Sequence, residues 1–173
     1  NWMSHCQEVK KNNPTVTKKH LYNPINSYYL LDCLDNLTDE SHIFINDAGS
    51  SNYVSSQTLK LEKGQRELTS GAFYSMGLTI PLAIGAAACS PNSQIIAVTG
   101  DGSIELNLQE LQTVHLNNLD IKLFVINNGG YASIRDSQDS MCGGRYTDDE
   151  EILDFSKVAN TFSMPFYFLD DYK

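Results

Sequence analysis

Gln94-Ile95-Ile96-Ala97-Val98-Thr99-Gly100-Asp101-Gly102-Ser103 is an apolar, β-prone run that ends abruptly in glycine, aspartate and serine. Such a run predicts a buried strand that feeds a loop. The pattern recurs on both sides. Ile43-Phe44-Ile45 runs into Asp47-Ala48-Gly49, and Ile121 to Ile126 breaks at Asn127-Asn128-Gly129-Gly130. A fourth strand is expected at Phe166 to Leu169. Near-continuous apolar runs are typical of parallel strands buried on both faces.

Helical patterns lie between these strands. Ile80 to Cys89 is one, Leu108, Leu111 and Val114 share the face of another, and Ile152, Phe155, Val158 and Ala159 mark a third. Asn23-Pro24 reads as a cap followed by a first-turn proline, with Leu30, Leu31, Leu34 and Leu37 at helical spacing, so a helix is expected from about Pro24 to Leu37. Alternating strand and helix predicts an α/β fold, a doubly wound and mostly parallel sheet with helices on both faces. Ligands of such sheets bind beyond the carboxyl ends of the strands, where the strand order reverses.

Residues 1–20 are polar, with Lys10-Lys11 and Lys18-Lys19 around Pro14, and read as a linker from an upstream domain. The first residue is Asn1, which suggests numbering that starts inside a longer product; residues 21–173 then form one C-terminal domain. Asp136 to Glu151 is acidic, carries Gly143-Gly144 and has little apolar anchoring, so a loop or lid is expected there.

The composition excludes several roles. Against 21 acidic residues stand 12 Lys and Arg, and the formal net charge of -9 repels a phosphate backbone, so nucleic acid is not an expected partner. No apolar run reaches the roughly 20 residues that span a bilayer. Cys6, Cys33, Cys89 and Cys142 are widely spaced and predict reduced thiols, in keeping with a cytoplasmic setting. His5, His20, His42 and His115 have no metal-site or triad spacing.

The chemistry concentrates in two strand-terminal loops, with Asp101 and Asn128 separated by 27 positions, the span of one βαβ unit. A carboxylate and an amide carbonyl are hard oxygen ligands, suited to Mg2+ or Ca2+. Mg2+ usually completes its shell with phosphate oxygens and water, so this pair implies a phosphorylated cofactor. Gly100, Gly102 and Ser103 can bring amides and a hydroxyl to its phosphate at a helix start. A purely structural reading makes Asp101 a cap and Asn128 a turn residue.

Gly100-Asp101-Gly102-Ser103 through Asn127-Asn128 resembles the diphosphate signature of thiamine-diphosphate enzymes. Ser70-Gly71-Ala72-Phe73-Tyr74-Ser75-Met76-Gly77, Ile80-Pro81-Leu82-Ala83-Ile84-Gly85-Ala86 and Glu110-Leu111-Gln112-Thr113 extend the likeness to the acetolactate synthase, pyruvate oxidase and decarboxylase group. The resemblance implies thiamine diphosphate and Mg2+ as cofactors, with Asp101, Asn128 and the Gly130 carbonyl as metal ligands. Met76 would be the wedge between the cofactor rings, the Tyr74 carbonyl would accept from the aminopyrimidine, and Tyr131 would sit over the cofactor. Without the family, Met76 reads as a core residue.

Gly49, Ser50 and Ser51 occupy the place of a second diphosphate loop, although acetolactate synthases proper carry larger amide and imidazole side chains there. That departure bears on the product rather than on diphosphate binding, and a simple Asx turn is the alternative for the loop. The resemblance further implies decarboxylation of a small 2-oxo acid and transfer of its acyl carbanion to a carbonyl acceptor. Non-oxidative decarboxylation and a non-catalytic cofactor-binding module are the alternatives. The activating glutamate is expected from the pyrimidine-binding domain of a neighbouring subunit in a homodimer or homotetramer, since Glu105 and Glu110 lie at the wrong end of the cofactor. Arg135, Gln138 and Arg145 could bind an acidic substrate but read by default as solvated surface.

Overall fold

Four parallel strands form the centre of the protein in a computed structural model that describes residues 1–22, 24–62, 64–146 and 153–171. They are β1 (His42–Asn46), β2 (Arg66–Leu68), β3 (Gln94–Gly100) and β4 (Ile121–Ile126), in the order β2-β1-β3-β4. The register places Ile43 beside Ile95 and Ile95 beside Ile121. Side chains alternate across the sheet, so β1 and β3 supply a core to each face.

Phe44, Ile96 and Val98 meet Leu31 and Leu34 of α2 (Ser27–Leu37) and Val54 of α3 (Ser50–Thr58). Ile43, Ile45, Ile95 and Ala97 meet Ala83 and Ala86 of α4 (Thr79–Cys89) on the opposite face. Each fully buried Phe, Leu, Ile or Val contributes about 1.5–3 kcal/mol. The alanines let α4 lie close on the sheet, while Gly85 faces open space on its outer side. Ile80, Ile104, Leu111 and Val114 make a third cluster, joining α4 to α5 (Asp101–Ile104) and α6 (Leu111–Leu116). The doubly wound α/β architecture expected from the sequence is therefore present.

Several local expectations are corrected. Residues Trp2–Asn12, within the segment expected to be a linker, form a helix, α1, which the Asn1 side chain caps by accepting from the Ser4 amide at 2.9 Å. No α1 residue is buried. The segment after it docks on the domain: the Thr15 hydroxyl donates to the Gln57 carbonyl, and the His20 and Tyr28 rings stack at 5.3 Å. Helix α2 starts at Ser27 because Asn26 caps it, accepting from the Tyr28 amide; Pro24 precedes it and Asn23 lies outside the described residues.

Phe166 to Leu169 forms no strand among the described residues, and these side chains are exposed. Conversely β2, with leucine as its one apolar residue, was not foreseen. Asp136 to Met141 continues α7 (Ala132–Met141) instead of opening a loop; residues 147–151 of the expected lid, and Ile152, lie outside the described residues. Phe155, Val158 and Ala159 fall in α8 (Phe155–Thr161). All four cysteines are free, and among the described residues no helix is long and apolar enough to cross a membrane.

Candidate functional site

The chain leaves β1 for β2 on one side and returns to place β3 on the other, so the order reverses between β1 and β3. The crevice beyond their carboxyl ends is where such folds hold ligands. Residues 47–51 flank it from β1, residues 100–103 from β3, and residues 127–131 approach from β4.

Asp101, 2% exposed, organises the β3–β4 side. Its Oδ2 accepts from the amides of Asn128 and Gly130, both at 2.9 Å, and its Oδ1 accepts from the Gly102 amide at 2.9 Å. Those amides sit in a loop where Gly129, Gly130 and Tyr131 all have positive φ (87°, 75° and 42°). Glycine takes this conformation without the penalty other residues meet, so the Gly129-Gly130 pair lets the loop curl round the carboxylate. An ionised carboxylate has about four acceptor positions, and three donors leave room for a cation.

Beside it, Asn128 Oδ1 is buried without a hydrogen-bond partner. An acceptor taken out of water without a donor costs about 1–3 kcal/mol, and such an atom calls for an ion or water at that point. Among the described residues no group of three or more His, Cys, Asp or Glu is gathered for a metal. The donor set on offer is instead one carboxylate, one amide oxygen and backbone carbonyls, which suits a hard cation such as Mg2+ that shares its shell with phosphate. The residues present therefore fit the metal and its diphosphate.

The other expected residues take varied places. Gly102 has no room for a side chain: a Cβ there would lie 2.8 Å from the Tyr131 ring. Its amide donates to Asp101. Gly130 is buried, and Ser103 is buried in α5. Gly49, at φ 62°, caps α3, and a Cβ on it would meet Ser133 Oγ at 3.5 Å. Tyr53 of α3 also reaches Ser133, at 3.3 Å, so the loop after β1 adjoins the start of α7. The Ser51 hydroxyl donates to the Ala48 carbonyl and is buried.

Tyr74 and Met76 lie on a different segment, after β2. Tyr74 is 55% exposed in the left-handed region and Met76 is half-buried. The segment is pinned at Gly77, whose carbonyl accepts from Asn107 Nδ2 at 2.7 Å and whose missing Cβ would lie 2.7 Å from Leu106 Cβ. Phe73, Tyr74, Tyr131 and Ile134 leave apolar surface around the crevice.

Sequence reasoning did not find Thr79 and Thr99, which both donate to buried Asp47 Oδ2, at 2.6 and 2.9 Å, and so lock α4 and β3 to the end of β1. Nothing in the sequence marks those threonines. Arg135 is not the solvated side chain expected: it is half-buried and donates from Nη1 to the Gly129 carbonyl and from Nη2 to the Asn128 carbonyl at 2.8 Å. Its place four residues after Tyr131 becomes a signal once α7 is known to begin there. Farther along, Arg145 clasps Asp139 through Nε and Nη2, which holds that carboxyl below the usual range and ties the segment after α7 back onto the helix.

Residues 47–173 match the family described as thiamine pyrophosphate enzyme, C-terminal TPP binding domain. The chain is 38% identical over 124 residues to the acetolactate synthase large subunit of Cyanidium caldarium, covering 70% of this chain and 21% of that protein. It is 32% identical over 115 residues to the acetolactate synthase isozyme 1 large subunit of Escherichia coli (66% and 20%), and 28% identical over 163 residues to the acetolactate synthase large subunit of Buchnera aphidicola (93% and 28%). It thus spans about a fifth to a quarter of the length of these relatives.

Proposed function

From the premise that this chain belongs to the thiamine pyrophosphate enzymes, as their C-terminal TPP binding domain, we propose that it holds Mg2+ and the cofactor's diphosphate through Asp101, Asn128 and the Gly130 carbonyl. Gly100, Ser103 and the Gly49-Ser50 turn would line the diphosphate. The Tyr74 carbonyl and Met76 would meet the cofactor rings, with Tyr131 above. The observation that carries this reading is the buried, unpartnered Asn128 Oδ1 next to a carboxylate with acceptor capacity to spare.

The whole protein would be a cytoplasmic acetolactate-synthase-like carboligase acting on a small 2-oxo acid. Bound thiamine diphosphate supplies the electron sink for decarboxylation and acyl transfer; this chain's residues anchor it, orient it and exclude water. Three of the described glutamates fit with an activating carboxylate supplied from elsewhere. Glu67 is engaged by Asn46 and Ser55, Glu110 accepts from Thr113, and Glu105 is exposed. A pyrimidine-binding domain of a neighbouring subunit, seated on the Phe73 and Ile134 surface, would provide it in a dimer or higher oligomer.

Calorimetric titration with Mg2+ and thiamine diphosphate tests the reading. The chain should bind both together, and Asn128→Ala should weaken Mg2+ by at least about tenfold while changing folding stability by no more than about 1 kcal/mol, since the group removed is an unsatisfied one. Unchanged Mg2+ affinity in Asn128→Ala would refute it.

A further inference from the structure

The loop that carries Asn128 and Gly130 is gripped from two sides. Asp101 takes its amides, as described. On the opposite side the guanidinium of Arg135 takes its carbonyls, Nη2 donating to Asn128 and Nη1 to Gly129. Arg135 is placed for this by the first turn of α7, where its own amide donates to the Tyr131 carbonyl at 3.0 Å. A Cβ on Gly129 would lie 3.3 Å from Nη2, so the glycine leaves just enough space for the fork.

We propose that Arg135 is a positioning residue for the metal site, a conclusion that rests on the Mg2+ reading above. It has two consequences. By occupying the carbonyls of Asn128 and Gly129, it removes two oxygens that would compete for the cation and leaves the next carbonyl, that of Gly130, for it. By fixing the Asn128 peptide between a carboxylate and a guanidinium, it aims the Asn128 side chain, whose Oδ1 has no donor of its own. The planar fork matters as well as the charge: two carbonyls from adjacent residues need two N–H groups at fixed separation, which arginine has and a lysine ammonium does not present in that geometry.

Mn2+ serves as the probe, because the free aquated ion is counted by its electron paramagnetic resonance signal. Titrations of the full chain are made at saturating thiamine diphosphate. Arg135→Lys should weaken Mn2+ by about 10- to 100-fold, the usual loss when a group supporting a metal ligand is removed. In an Asn128→Ala background the same substitution should cost much less, because the residue acts through Asn128. Gly129→Ala, which strains the backbone at φ 87° and also pushes on the guanidinium, should weaken Mn2+, and the part that acts through the guanidinium should be absent on top of Arg135→Lys. This variant keeps the test open if Arg135→Lys folds poorly. Wild-type affinity in both Arg135→Lys and Gly129→Ala overturns the proposal, as does an equal loss from Arg135→Lys in the native and Asn128→Ala backgrounds. A native chain that binds no Mn2+ with thiamine diphosphate overturns the metal reading itself and the role of Arg135 with it.

Discussion

The two loops at the β3–β4 end and the segment after β2 serve the same crevice but are built differently. Around Asp101 the carboxylate, the curled glycines and Arg135 bond to one another within the chain, and Asn128 Oδ1 is buried without a partner. After β2, Phe73 is 90% and Tyr74 55% exposed, and the segment is held at its ends, by Asn52 on Thr69 and by Asn107 on the Gly77 carbonyl. The contrast is that the charged end is preorganised by local bonds, whereas the apolar end leaves its side chains exposed. Buried polar groups have to be paired within the fold. Apolar surface can wait for a partner at modest cost.

The largest expected effect sharpens the first half of that contrast. Asp101→Ala strips the acceptor from the buried amides of Gly102, Asn128 and Gly130. At about 1–3 kcal/mol per buried unpaired donor, partly relieved by entering water, the loss should be about 3 kcal/mol in urea unfolding. Mg2+ binding should vanish in calorimetry. A variant that loses the metal but keeps its stability would show that the loop holds itself without Asp101.

Next comes Gly102→Ala. Its φ is ordinary for a helix, so alanine suits the backbone, and the cost arises from the 2.8 Å approach to the Tyr131 ring. Thermal unfolding should report about 1–3 kcal/mol of destabilisation from that overpacking. In a Tyr131→Ala background the substitution should become neutral or slightly favourable, because the clash is gone and only the helix preference remains. A cost that persists without the ring would mean that something else fills the crevice there.

The part of this contrast legible in the sequence was the part made by buried apolar runs. Ile43 to Ile45, Gln94 to Thr99 and Ile121 to Ile126 each declare a strand, because a chain buried on both faces needs apolar residues at successive positions. The edge strand β2 hides, since Arg66-Glu67-Leu68 gains its strand character from pairing with Ile43, Phe44 and Ile45 rather than from its own composition. Phe166 to Leu169 errs the other way, with strand-like residues and exposed side chains. That Asp101 and Asn128 come together was legible because each follows a strand end and the fold fixes their spacing. Thr79 and Thr99 were not, because a hydrogen bond between residues distant in sequence leaves no periodic trace, and Arg135 was not, because its partners are backbone carbonyls, which any residue type carries.

A smaller effect tests the second half of the contrast. Phe73→Ala should leave the melting temperature of this domain within experimental scatter, as truncation of a side chain in solvent does, yet lower activity and weaken assembly of the whole enzyme in sedimentation. If Phe73→Ala instead destabilises the domain as a core substitution would, the surface around the crevice is part of its own packing, and the asymmetry between the two ends fails.

The smallest effect lies away from the crevice and asks whether local capping elsewhere is independent of the site. Asp154 caps α8, accepting from the amides of Ser156 and Lys157. Its carboxyl is lowered from 3.8 to about 2, chiefly by the Ser156 hydroxyl and then by Lys157. A carboxyl depressed in the folded state contributes stability that is complete above the unfolded value near 4 and disappears as pH falls through about 2. Asp154→Ala should therefore melt slightly below the native chain at pH 6, and the two should converge as pH approaches 2. Because Asp154 is solvent-exposed, added salt should shrink the difference due to Lys157 but spare the part due to the Ser156 hydroxyl. Mg2+ affinity measured at pH 6 should be the same in both. A weaker metal site in Asp154→Ala would instead couple α8 to the loops at the carboxyl edge, and the preorganised end could no longer be ascribed to Asp101 and Arg135 alone.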